Sequence, residues 1–365
     1  MSDVYPPAKP TLRRMALFCL LAGVLTAALL FPVVGGIGMA SNRASESVTQ
    51  SSEDIVGGKV PAVSTMVDAA GTPIAWLYLQ RRWEVPTNRI ADTMKLAIVS
   101  IEDKRFADHN GVDLQGTLTG LAGFLKGGGN TRGGSTIEQQ YVKNYNLLVT
   151  ADSDAERRAA VETTPTRKLR EIRTALALGT QLTKPEILTR YLNLIPFGNG
   201  AYGIQDAART YFGIDAVGLN WQQSALLSGM VQSTSALNPY TNPQGALDRR
   251  NLVLDTMIGN LPAFTDELRA AREQPLGVLP KPSTLPQGCI AAGDRAFFCD
   301  YALEYLARAG ISKEEVARNG YLIKTTLDPK VQTSVKRAIN AVAAPTLDSV
   351  ASVMSVIRPG KDSHR

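Results

Sequence analysis

Two histidines and three cysteines among 365 residues leave little with which to hold a transition metal. Cys19, Cys289 and Cys299 stand in none of the spacings that mark a zinc site, and with only His109 and His364 beside them they argue against one. Charge of one sign is not extreme either. The net charge of +6 fits an anionic ligand, a membrane surface or nucleic acid and does not choose among them. Hydrophobic content of 44% and charged content of 20% are those of a globular protein, and the length has room for two domains.

One stretch lacks charge altogether. Met15–Phe31 carries none, and its apolar character continues to about Ala40. A run of that length can cross a bilayer, which takes about 20 helical residues. Lys9, Arg13 and Arg14 precede it, so residues 1–14 are expected to stay in the cytoplasm and the rest to be exported. The run is longer than a signal-peptide core, which favours an uncleaved single-pass anchor over residues 15–40 against cleavage near Gly38-x-Ala40. Outside the cytoplasm Cys289 and Cys299, ten apart in sequence, could form a disulfide.

Residues 41–85 read as a polar spacer followed by a small β hairpin, with Ala70-Gly71-Thr72-Pro73 as its turn. Residues 86–274 are overwhelmingly helical in pattern. Ile90, Met94, Ile98 and Ile101 recur at helical spacing, and Glu102 falls on or beside that stripe. A carboxylate there is partly desolvated and a better proton acceptor. A helix-end acid pairing with Lys104 or Arg105 fits the same residues. Gly127–Gly134 is a glycine-rich segment that would gate a neighbouring site or be a plain surface loop. Ser135-x-x-Glu138 reads as a capping box opening a helix whose Gln140, Lys143 and Asn144 share a face. Three polar groups together suit an oxygen-rich ligand, or simply a solvated face. Residues 151–166 read as an irregular insertion. In Arg167–Leu182, Glu171 lies within a turn of Arg167 and Lys168, which suits an ordinary intrahelical salt bridge or a carboxylate flanked by phosphate-binding cations. Gly198-x-Gly200-x-x-Gly203 has the form of a dinucleotide fingerprint, but it follows a helical stretch and not a strand, so it reads as a tight turn before a helix at Ile204–Phe212. Residues 275–365 turn proline-rich, then give short helices, a strand near Tyr321–Thr326, a helix over Lys330–Val342 and a further strand at Val350–Ile357.

Assembled in order, five segments resemble the glycosyltransferase family 51 domain of class A, bifunctional penicillin-binding proteins. Glu102-Asp103-x-x-Phe106-x-x-His109-x-Gly111 is similar to the first motif, and Gly133-Gly134-Ser135-Thr136-Ile137-x-Gln139-Gln140-x-x-Lys143-Asn144 to the second. Arg167-Lys168-x-x-Glu171 resembles the third, and Tyr191-Leu192-Asn193 through Gly213 the fourth. Leu227-x-Gly229-x-x-Gln232 with Asn238-Pro239, Asn242-Pro243 and Arg249-Arg250 resembles the fifth. Glu138 stands where the family usually has Thr, and Val231 and Thr234 replace prolines. Thr325–Pro329 resembles the linker into a transpeptidase domain. Neither Ser-x-x-Lys nor Lys-Thr-Gly occurs in the chain, so these 365 residues are expected not to acylate penicillin.

The resemblance implies a mainly α fold: an N-terminal transmembrane helix, a lysozyme-like α-helical glycosyltransferase domain and a short α/β linker region. It implies polymerisation of the lipid-linked disaccharide-peptide (lipid II) of peptidoglycan into β-1,4 glycan strands by inversion, with release of polyprenyl diphosphate, at the bacterial cell membrane. Glu102 would take the acceptor proton. Glu171, Lys143, Arg167 and Lys168 would lie at the departing diphosphate, with Asn144, Gln140, Thr136 and Ser135 also binding substrate. Asp103, Phe106 and His109 would be supports. No cofactor is required, although a divalent cation, Mg or Mn, could share the charge at the diphosphate. Partners would be the lipid-linked precursor, the membrane, the growing glycan strand and other wall-synthesis proteins, and no nucleic acid. A lytic muramidase or an inactive envelope scaffold are the alternatives. The cations beside Glu171 have no role in cutting a plain glycan, and a scaffold need not keep its acids and bases.

Overall fold

The computed structural model describes residues 19–20, 23, 52–116, 134–342 and 354–357. The expected membrane span lies outside the described residues, among which no helix is long and apolar enough to cross a membrane. The Gly127–Gly134 segment, but for Gly134, and the Val112–Lys126 stretch beyond residue 116 fall outside them too. The chain divides into two units, Met1–Asp54 and Ile55–Arg365. All the described strands and all the candidate site residues belong to the second.

This unit is mainly helical, as expected. Helix α1 (Asp92–Glu102) runs through its middle. Its Met94 and Ile98 face one apolar cluster with Ile137, Leu178, Tyr191 and Leu192, while Ala97 joins a second with Ala225, Val253, Leu254 and Met257. A helix buried on two faces must satisfy its few polar side chains internally. Thr93 Oγ1 does so by donating to Leu219 O at 2.7 Å.

Around α1 lie α2 (Ile137–Tyr145), α3 (Asp154–Val161), α4 (Pro165–Gln181), α5 (Lys184–Leu194), α6 (Ile204–Phe212), α7 (Trp221–Met230), α8 (Pro243–Asn260) and α9 (Thr265–Arg272). Two starts differ from the sequence reading. Thr136, not Ser135, caps α2 by accepting from Gln139 N, which leaves Glu138 free to turn inward. Residues 151–166 are not irregular: Ser153 and Glu156 form a reciprocal capping box that starts α3.

The hairpin is β1 (Ser64–Val67) and β2 (Pro73–Leu77), with the Asp68 side chain accepting from Ala70 N and Thr72 N across the turn. Two further strands, β3 (Arg81–Arg82) and β5 (Ala201–Tyr202), pair parallel, and β4 (Pro196–Gly198) pairs antiparallel to β5. The three glycines of the rejected fingerprint make this β4–β5 turn and the entry to α6, each with positive φ. After α9 the chain continues through α10 (Ala296–Arg308), α11 (Lys313–Arg318), β6 (Leu322–Lys324) and α12 (Pro329–Val342). Strand β6 joins the hairpin, pairing parallel with β1, and a small third core of Met66, Ile74, Cys299, Leu303 and Val316 fills the space beneath. Residues 354–357, the described part of the expected last strand, are not in a strand.

Cys289 and Cys299 are bonded in this small core. The mass of the protein under non-reducing conditions should fall short of the reduced mass by two hydrogens. Cys299→Ala should lower stability by about 3 kcal/mol in denaturant titration.

Gly111 carries the loop after α1 against the backbone of α4. Its φ is +87°, and a Cβ there would sit 2.4 Å from Ala175 O. On the same face of α4, a Cβ on Gly179 would meet Asn110 at 3.1 Å. Gly111→Ala should therefore cost more than the 1–2 kcal/mol of a left-handed backbone alone, read as a lowered midpoint in denaturant titration.

Candidate active site

Glu102 is the last residue of α1, and Asp103 leaves the helix in an extended conformation. Glu102 is half-buried, and its Oε2 accepts from Gln140 Nε2 at 2.8 Å. Burial pushes its carboxyl above the ordinary glutamate range. The Gln140 bond and the positive charges of Arg249 and Lys143 pull it back, and Asp103 adds a smaller upward push. The helix-end pairing open in the sequence does not form. Arg105 Nη2 instead bonds Asp113 Oδ2 at 2.5 Å, and among the described residues no cation forms an ion pair with Glu102.

Asp103, the next residue, pairs with His109. His109 Nε2 lies 3.1 Å from both Asp103 oxygens, and Ile137 N, the first amide of α2, donates to Asp103 Oδ2 at 3.1 Å. The Asp103 carboxyl is raised by burial, an effect opposed by His109 and Ile137 N. Phe106 packs edge-on to His109 and under the Lys184 ammonium, 4.2 Å from its ring centre. Lys184 was not singled out in the sequence. Its Nζ bonds Glu138 Oε1 at 2.6 Å, and Glu138 is 0% exposed. One oxygen each from Asp103 and Glu138 and a nitrogen of His109 lie within 4.8 Å of one another, a grouping that could hold a metal ion. Glu138 already has the Lys184 ammonium as its cation, so this group reads as an internal ion pair. The signal for Lys184 was its place: a cation at the first position of a helix is disfavoured by the macrodipole, which asks for a compensating partner elsewhere.

The second carboxylate, Glu171 on α4, is 6% exposed and held by both neighbouring cations. Arg167 Nη1 bonds its Oε2 and Lys168 Nζ its Oε1, each at 2.5 Å. Lys168 Nζ also donates to Ser135 Oγ and Gln139 Oε1, both at 2.8 Å. Of the two readings left open by the sequence, the intrahelical pairing is present, and it fixes two cations at one place. Each Glu171 oxygen already takes a cation, and a divalent metal there would meet two positive groups, so the residues present do not fit a metal at Glu171.

Helix α2 therefore carries both centres: Gln140 reaches Glu102, while Gln139 and the preceding Ser135 reach Lys168. Several expected ligand-binding residues engage the protein itself. Ser135 accepts from Lys168, Thr136 donates to Gly111 O at 2.7 Å, Gln140 serves Glu102, and Asn144 Nδ2 donates to Gln140 O at 2.8 Å. Lys143, one turn along α2 from Gln140, is in no ion pair among the described residues and faces the Glu102 charge. Arg249 on α8 belongs to the same site, and its Nε donates to Gly229 O at 3.2 Å.

A helical domain in which neighbouring residues of α2 reach a desolvated glutamate on α1 and the cation clamp of a second glutamate on α4 defines a class. The family model described as Transglycosylase matches residues 70–258, and the chain belongs to that family. Among curated proteins it is 32% identical over 290 residues to penicillin-binding protein 1A of Mycolicibacterium smegmatis, covering 77% of this chain and 35% of that protein. It is 41% identical over 186 residues to penicillin-binding protein 1A of Streptococcus oralis, covering 51% and 28%. With penicillin-binding protein 1A of Pseudomonas aeruginosa the identity is 35% over 247 residues, covering 67% and 27%. The chain spans 27–35% of the length of these relatives.

The raised carboxyl of Glu102 has a consequence for stability. A carboxyl whose folded pKa exceeds its unfolded value favours the fold fully below the unfolded pKa and loses that contribution as pH rises through the folded one. At neutral pH the ionised, desolvated Glu102 is thus a cost. Glu102→Gln should raise the thermal midpoint at pH 7, with the gain shrinking as pH falls through the acid range; a lowered midpoint at pH 7 contradicts the desolvation.

Proposed function

We propose that this protein is a peptidoglycan glycosyltransferase that joins lipid-linked disaccharide-peptide units into glycan strands. The observations that carry this reading are a desolvated carboxylate with no salt bridge among the described residues, Glu102 on α1, and a separate pair of fixed cations, Arg167 and Lys168, on α4. Glu102 accepts the proton of the acceptor sugar's 4-hydroxyl. The freed oxygen pair forms the new bond to the donor's anomeric carbon from one face, and the bond from that carbon to the diphosphate oxygen breaks on the other. This is the geometry of inverting sugar chemistry with a sugar hydroxyl in place of water. The departing diphosphate takes the electron pair, and Arg167, Lys168 and Lys143 offset its charge, the guanidinium in bidentate fashion. Because Arg167 and Lys168 are held by Glu171, Ser135 and Gln139 before substrate arrives, little reorganisation is needed when charge develops.

The uncharged Met15–Phe31 run, with Lys9, Arg13 and Arg14 before it, supports the further reading that the protein is anchored at the bacterial cell membrane, where a polyprenyl diphosphate substrate resides. The purified chain in detergent should convert lipid-linked disaccharide-peptide into glycan strands on a gel. Glu102→Gln should reduce the rate by about 10²–10⁴-fold, the usual worth of a general base. Lys168→Met should reduce it by about 10²-fold or more. Release of soluble muropeptides from sacculi with no consumption of precursor would replace this reading with glycan cleavage.

A further inference from the structure

Tyr191 lies on α5 and is 0% exposed. Its hydroxyl donates to Gln140 Oε1 at 2.8 Å. The other end of the same amide donates from Nε2 to Glu102 Oε2 at 2.8 Å. A primary amide has one accepting and one donating end, so whatever fixes one end decides what the other presents. A phenol with no access to water must place its proton on a protein acceptor. Among the described residues the acceptor it finds is Gln140 Oε1.

We propose that Tyr191 is a positioning residue: its hydroxyl locks the Gln140 amide with N–H toward Glu102, which engages one carboxylate oxygen and leaves the other to take the proton of the incoming hydroxyl. The inference rests on the glycosyltransferase reading. Burial, together with the charges of Glu102 and Asp103, pushes the Tyr191 phenol well above its usual range, so it remains a donor through the working pH range. Were the amide reversed, its carbonyl oxygen would face the carboxylate. Glu102 would then relieve the clash by holding a proton and donating it to that oxygen, and a protonated Glu102 is not a base. The other groups that bear on Glu102 are Arg249 from α8, Lys143 from α2 and Asp103 beside it, and none of these is changed by loss of the phenol oxygen.

The test is the pH profile of polymerisation by the full chain on lipid-linked disaccharide-peptide in detergent. Tyr191→Phe should move the acid limb of kcat upward by about one pH unit, a tenfold loss of rate on that limb, with KM unchanged. Gln140→Leu should move the limb in the same direction, and in that background Tyr191→Phe should move it no further. A Tyr191→Phe profile that overlays the wild type, or a shift that persists in the Gln140→Leu background, overturns the proposal. Should Tyr191→Phe not fold, an unmoved limb in Gln140→Leu alone overturns it. A wild-type protein that leaves the precursor unconsumed sinks the glycosyltransferase reading beneath it, which an active wild type with overlaid profiles does not.

Discussion

The arrangement depends on one unfavourable act: a carboxylate is partly taken out of water at the end of a helix that is itself buried on two faces. Desolvation of an ionised glutamate costs far more than a single neutral hydrogen bond returns. The surroundings of Glu102 divide the task of keeping it usable. Gln140 gives one oxygen a donor, Arg249 and Lys143 supply positive charge from a distance, and no cation closes on it as a salt bridge among the described residues. A tight ion pair would stabilise the site more and disable it as a proton acceptor.

The other carboxylates near α2 are treated in the opposite way. Glu171 has a cation on each oxygen, Glu138 has Lys184, and Asp103 has His109 and the Ile137 amide. Helix α2 is the common strut, and the loop that follows α1 is held against α4 where Gly111 and Gly179 let two backbones approach at closer than side-chain distance. The glycines of the first motif and of α4 thus govern the spacing of two chemical centres, although neither has a side chain with which to touch a substrate.

Local spacing made much of this legible. The α1 stripe, the β1–β2 turn and the grouping of Glu171 with Arg167 and Lys168 all follow from residues within a turn or two of each other. The misses came where a partner lies far along the chain. Glu138 looked like a capping residue because Ser135 precedes it by three, whereas its partner is Lys184, 46 positions on. Gln140 shares a face with Lys143 and Asn144 by helical spacing, but that spacing does not say that the face meets Glu102, 38 positions back. Tyr191 fell within a motif but had no chemistry until its hydroxyl was seen against the Gln140 amide. The α3 helix was missed because charge and proline in residues 151–166 outweighed a capping signal that was present.

The parallel pairing of β1 with β6 has a mechanical consequence. The chain enters β1 at one end of the ladder and leaves β6 at the other, and nearly all of the helical domain lies in the loop between them. Tension along the polypeptide would therefore load this ladder in shear, with its hydrogen bonds strained together instead of peeled apart in turn. The helices bearing Glu102 and Glu171 sit inside that clasp, so a pull on the flanking chain is carried by the small sheet before it reaches them.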